Sequence, residues 1–173
     1  MNEPIVNRVT KSNLITFDIE EFYPKGERVF FDISDWLEQG LVLKEQKFRD
    51  KAKNHHWDEF KGKYVAIDCS SEAILPAWAP LLIASYLNSV AKEVVFGDLE
   101  MLENHLFKTV IDNLNFDQYK DKPIIIKGCS EKEIPENVFI QLLVNFQKVS
   151  KSIFYGEACS SVPIWKKAQT KIH

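Results

Sequence analysis

Four runs of β-forming residues mark the second half of the chain: Tyr64–Asp68, Glu93–Gly97, Pro123–Lys127 and Ser152–Ala158. Lys63–Asp68 is a short β-branched and aromatic run, the pattern of a strand buried on both faces. Between the runs the apolar spacing changes to that of a helix. Trp78, Leu81, Leu82 and Tyr86 continue to Val90 with an almost wholly apolar face, which predicts a deeply buried helix. Pro76 falls near its first turn, and Pro80 is placed to kink it. Leu102, Leu106, Val110 and Leu114 recur at i, i+4 and predict a helix over 99–114. Pro135 suits the first turn of a third helix reaching Val149, because the missing N–H costs nothing there.

The pattern before residue 63 is sparser. Residues 1–12 read as a polar arm. Leu14–Ile19 and Arg28–Ile33 are strand candidates, with Lys25-Gly26-Glu27 as a turn between them. Ser34 or Asp32 is placed to cap a short helix ended by Gly40, and Glu45–Trp57 repeats apolar positions at Phe48 and Ala52. About 60 residues with so few apolar positions would be marginal alone.

Strands alternating with helices imply parallel strands joined by right-handed crossovers. The expected fold class is α/β: a small three-layer, doubly wound, mostly parallel sheet in the order 2-1-3-4, with an N-terminal β-hairpin and helix extension. One domain over 1–173 is expected, with 63–173 as the βα core and 1–62 packed on it. Ligands in such a sheet bind beyond the carboxyl ends of the strands, at the switch point between the first and third.

Composition narrows the partners. With 22 basic and 25 acidic residues the net charge is -3, so bulk electrostatics favour neither nucleic acid nor an anionic membrane. The longest apolar stretch, Ala77–Tyr86, is too short to span a bilayer. Met1-Asn2-Glu3-Pro4 lacks the basic and apolar regions of a signal peptide, so a cytoplasmic location is expected. Three cysteines, an odd number, argue against a secreted disulfide framework.

Those cysteines carry the candidate chemistry. They stand at positions 69, 129 and 159, a regular ladder whose remaining rung is Leu99, and serines follow them at Ser70, Ser130 and Ser160. In the order 2-1-3-4 the three cysteine-bearing strands are contiguous, with the outer two roughly 10 Å apart. One zinc needs thiolates within roughly 4 Å of one another, whereas an iron–sulfur cluster accepts a wider triangle. Cys69, Cys129 and Cys159 are therefore candidate ligands for a transition metal, either zinc or an iron–sulfur cluster. Asp98, Glu157 or Asp68 would be a fourth ligand or sit behind the ligands. The first three strands are expected to lead into helix N-termini, whose N–H groups, with Ser70, Ser130 and Ser160, would favour thiolates or anions.

Two other readings stand beside this one. Free cysteine often packs as a small hydrophobe, which would make the chain a non-enzymatic interaction module with structural cysteines. Its partner surface would be the aromatic-acidic hairpin around Phe22 and Tyr23. Alternatively Cys69 is the nucleophile of a thiol-dependent enzyme. No arginine follows any of the cysteines as a cysteine-dependent phosphatase would require, and Cys-x-x-Cys, Gly-x-Gly-x-x-Gly and Walker motifs are absent. The acids Asp18, Glu20, Glu21, Asp32 and Asp35 read as a solvated rim, and His55-His56 as a solvated helix end.

Three strings resemble a known family: Leu14-Ile15-Thr16-Phe17-Asp18-Ile19-Glu20-Glu21-Phe22-Tyr23-Pro24, Lys127-Gly128-Cys129-Ser130, and Gly156-Glu157-Ala158-Cys159-Ser160-Ser161-Val162-Pro163. They are similar to the uncharacterised bacterial domain-of-unknown-function family 2480, over nearly the whole chain. The family carries no established activity. The resemblance implies genes that often lie near iron–sulfur assembly genes, and with them an accessory role in cluster biogenesis and iron–sulfur assembly proteins as partners.

Overall fold

A computed structural model describes residues 14–128 and 131–168. Among them are seven strands: β1 (Ile15–Phe17), β2 (Arg28–Asp32), β3 (Tyr64–Asp68), β4 (Glu93–Phe96), β5 (Pro123–Ile126), β6 (Ser152–Tyr155) and β7 (Val162–Lys166). The α-helices are α1 (Glu45–Asn54), α2 (Trp78–Leu87), α3 (Leu99–Asp112) and α4 (Glu136–Val149). The class is α/β with mostly parallel pairing, as expected. The chain divides into two compact units. Pro24–Leu106 forms an inserted unit. Met1–Tyr23 and Phe107–His173 together form a flanking unit, interrupted by the whole of the first.

The inserted unit holds a parallel sheet in the order β2-β3-β4. The two-residue period of β3 sends its side chains to both faces. Val65 and Ile67 join Phe31, Phe48 and Ala52 from α1, and Ile83 and Leu87 from α2. Tyr64 and Ala66 pack on the other side with Leu102 and Leu106 from the first part of α3. The unit is thus three-layered, and full burial of each large aliphatic side chain favours folding by about 1.5–3 kcal/mol.

The flanking unit holds a sheet in the order β1-β5-β6-β7, parallel except where β7 runs antiparallel to β6. Ile124, Ile126 and Ile153 pack with Val138, Leu142 and Phe146 of α4 and with Phe107 and Ile111 from the last part of α3.

Several expectations are corrected. The predicted single sheet in the order 2-1-3-4 is instead two sheets: β3 and β4 lie in one, β5 and β6 in the other. Strand order depends on which edges meet over long separations, and the local pattern does not encode that. In both sheets the strands follow chain order from one edge to the other, so neither has the switch point expected to bind ligand. The predicted hairpin is also replaced. β1 pairs in parallel with β5 and β2 in parallel with β3. The turn between them is held by Arg28, whose guanidinium donates to the Pro24 and Gly26 carbonyls (2.6 and 2.7 Å) and pairs with Glu103 of α3. Gly26 is required there, because a Cβ would collide with the Tyr64 ring. The segment after Ser161, read as a tail, forms β7; Pro163 masks its strand character.

The two units follow one plan. Phe17-Asp18-Ile19 and Phe31-Asp32-Ile33 each end a strand in an aspartate that caps a 3-10 turn. Asp18 accepts from the Glu20 N–H and Asp32 from the Ser34 N–H, and Ile19 and Ile33 are both buried. A second pair of 3-10 turns, Trp57–Phe60 and Phe116–Tyr119, leads into β3 and β5 through the similar strings Trp57-Asp58-Glu59-Phe60-Lys61 and Phe116-Asp117-Gln118-Tyr119-Lys120.

Candidate functional site

At the carboxyl edge of the inserted sheet, Asp32 and Asp68 are register partners at the ends of β2 and β3. Asp32 Oδ1 accepts from the Ser34 N–H (2.9 Å) and the Ser70 N–H (3.0 Å), and the two serine hydroxyls lie 3.1 Å apart. Burial presses the Asp32 pKa upward. The hydrogen bonds from Ser70 and Ser34 outweigh it and hold the group at about 2, below its usual 3.8. Ser70 therefore closes the loop after β3 onto the exit of β2. Asp68 accepts from the Cys69 N–H at 2.8 Å, and Asp98 caps α3 by accepting from the Met101 N–H at 2.8 Å.

Cys69 is half-buried against the α1/α2 side of the core. Its Sγ lies 3.2 Å from the Ser71 hydroxyl, which in turn donates to the Gly40 carbonyl. It stands beside a hydroxyl rather than a base. α2 begins only at Trp78, after an irregular stretch through Pro76, so Cys69 and Ser70 do not occupy the expected helix N-terminus.

At the matching edge of the flanking unit, Lys127 follows β5 where Asp68 ends β3. Its Nζ lies 2.5 Å from Asp18 Oδ2. That hydrogen bond, against a smaller desolvation effect and with added attraction from Asp18, Glu157 and Glu20, raises the Lys127 pKa. Glu20 accepts from the Glu131 N–H at 3.0 Å. Glu157 Oε1 is buried without a hydrogen-bond partner among the described residues. Its carbonyl accepts from the Ser160 N–H at 2.9 Å, in the turn between β6 and β7. Cys159 lies exposed in that turn. Cys129 and Ser130 lie outside the described residues.

Cys69 thus belongs to the inserted unit and Cys159 to the flanking unit. Among the described residues no group of three or more histidines, cysteines, aspartates or glutamates is placed to hold a metal ion. Of the aromatic pair, Phe22 is exposed and stacks on Phe17 at 5.7 Å, whereas Tyr23 packs edge-on against Phe107 at 5.6 Å. Phe22 borders a shallow hollow formed with Val110 of α3 and with Leu114 just beyond that helix.

A more extensive feature lies along α2 and β4. α2 is apolar nearly all round, but only Ala79, Ile83 and Leu87 are buried. Leu81 is 68% exposed, Phe96 on β4 is 57% exposed, and Ile74 before the helix is 96% exposed. Leu81 and Phe96, with Val94, Pro80 and Ala84, border a groove of about 740 Å³. The expected deep burial of α2 is therefore limited to one side. The signal was present in the sequence: a helix apolar on every face, beside a strand with no polar alternation.

These two mostly parallel sheets, each with helices against it and each with a strand that exits into an aspartate-capped 3-10 turn, define a mixed α/β protein of two similarly built units. The chain belongs to the family described as Protein of unknown function (DUF2480), whose family model matches residues 3–167. No significant match links it to a curated protein or to a solved structure. No helix among the described residues is long and apolar enough to cross a membrane.

Proposed function

We propose that the protein is a non-enzymatic, cytoplasmic protein-interaction module that takes an extended, apolar and basic segment of a partner protein along the edge of β4. The groove between α2 and β4 is the observation that carries this reading. Among the described strands β4 pairs with β3 alone. An unblocked edge beside exposed apolar side chains suits strand addition, in which backbone hydrogen bonds give affinity and alternate side chains enter the groove. The contrast with β7 supports this. β7 is also an edge strand, but Pro163 interrupts it, whereas β4 runs Val94-Val95-Phe96 without a breaker. Charge selects the partner. Glu72 and Asp98 are exposed beside the segments that line the groove, three residues before Leu75 and two after Phe96. In this reading Cys69 is a packing residue, hydrogen-bonded to Ser71.

Fluorescence anisotropy of a labelled peptide alternating lysine with valine and phenylalanine tests the reading. The peptide is expected to bind the full chain, and Phe96→Lys with Leu81→Glu should weaken binding by about tenfold or more, as expected for central apolar contacts. Both positions are exposed, so the variant should melt as the wild type does. Equal binding by wild type and variant, or no binding at millimolar peptide, overturns it.

A further inference from the structure

We propose that the flanking unit binds a phosphate-bearing ligand with a flat ring, of the nucleoside diphosphate class, in a cleft at the edge of its sheet where β5 and β6 begin and β7 ends. Two backbone hydrogen bonds build a row of lysines across that edge. The Lys151 N–H donates to the Lys122 carbonyl at 2.9 Å, and the Lys167 N–H to the Lys151 carbonyl at 3.0 Å. Lys166 follows in the next row, opposite Ser152. Like charges on neighbouring strands repel one another, and a bound anion relieves that repulsion. The concentration is local, because the chain as a whole carries a net charge of -3.

The lysines are not equally engaged. Lys122 Nζ donates to the Gln118 carbonyl at 2.7 Å, and Lys167 Nζ lies 3.4 Å from Asp121, an acid that also borders the cleft. Lys151 and Lys166 are exposed and have no ion-pair partner among the described residues. Two such ammonium groups match the charge of a diphosphate better than that of a single carboxylate. Both residues border a cleft of about 640 Å³ that Phe154, Pro163 and Trp165 also line. Trp165 is half-buried, packed on one side against the core around Ile153. Its remaining surface and Phe154 give a planar base something to lie against. Cations beside an aromatic surface are the combination by which a nucleotide is held through phosphate and ring together.

The test uses ADP, pyrophosphate and adenosine as probes of the full chain, followed by amide and indole NMR shifts. ADP is expected to move the Ser152 and Lys166 amides and the Trp165 indole. Pyrophosphate should move the amides alone, and adenosine should bind at least about tenfold more weakly than ADP. Lys151→Glu with Lys166→Glu should weaken ADP about tenfold or more per charge reversed, without altering the melting temperature. ADP that leaves these signals unmoved at millimolar concentration, or that binds the double variant as it binds the wild type, overturns the site. Pyrophosphate binding as tightly as ADP with the indole still overturns the ring contact. Because the cleft is remote in sequence from β4, Phe96→Lys should leave ADP binding unchanged, so failure here is distinguishable from failure of the docking face.

Discussion

Asp32 joins two chain segments through one carboxylate oxygen, and its hydrogen bonds from Ser34 and Ser70 favour the ionised form. Burial works against ionisation, but those bonds prevail and hold the pKa at about 2 instead of 3.8. A folded-state value below the unfolded one gives stability that is fully present above the unfolded pKa. It is lost as pH falls through the folded value. Asp32→Asn is therefore expected to destabilise by about 1 kcal/mol at neutral pH, the usual size of a lost cap. The difference from wild type should shrink as pH falls from 3.8 to about 2. Urea titrations across that range check this, and a difference independent of pH would contradict it. Asp18 stands at the same place in the flanking unit but faces Lys127, so its surroundings are cationic where those of Asp32 are not. Local reading treated these aspartates as members of a solvated rim. A carboxylate's partners came from residues far along the chain, Ser70 and Lys127, and no spacing within the rim announced them.

Elements were more legible than single side chains. The i, i+4 leucines of α3, Pro135 just before α4 and the β-branched cores of β3 and β5 each point to the element observed. β7 was obscured because Pro163 contradicts strand character locally, and it is tolerated there because β7 lies on an edge. The link from β4 to α3 depends on Gly97, which has φ +137 and donates to the Ile67 carbonyl at 2.8 Å. A Cβ there would be strained in backbone and would press on Met101. Gly97→Ala is expected to cost about 1–3 kcal/mol. Because Gly97 adjoins the docking face, the same variant should weaken peptide binding only as far as thermal melting shows β4 to be loosened. Full stability in the variant would show that the turn tolerates a side chain.

At the scale of the molecule, each unit has a core of its own. Phe146 is fully buried among Phe17, Phe116 and Tyr119, and Ile83 is fully buried beneath the inserted sheet. Phe146→Ala is expected to cost about 3–5 kcal/mol and Ile83→Ala about 2–5 kcal/mol. Hydrogen exchange should separate them: Ile83→Ala speeds exchange at Val65–Ile67 more than at Ile124–Ile126, and Phe146→Ala does the reverse. Equal acceleration in both sheets would mean that the units open together. The division was the least legible level. β1 and β2 are close in sequence and were read as partners, yet they enter different sheets. The readable clue was repetition: Phe-Asp-Ile occurs at 17–19 and again at 31–33, and two similar aromatic strings precede β3 and β5. Two copies of one strand-exit motif so close together are hard to place side by side in one hairpin, and easier to place once in each sheet.

The interruption of the flanking unit has a consequence for synthesis. β1 leaves the ribosome early, but its hydrogen-bonding partner β5 lies beyond the entire inserted unit. At roughly 5–20 residues per second, Ile15 waits several seconds before Ile124 is made. During that interval the inserted unit already has its three strands and can close, while β1 remains an unpaired apolar strand. Nascent chains stalled far enough beyond residue 106 for the inserted unit to clear the ribosome, but before β5 emerges, should therefore carry a protease-resistant inserted unit while β1 remains cleavable.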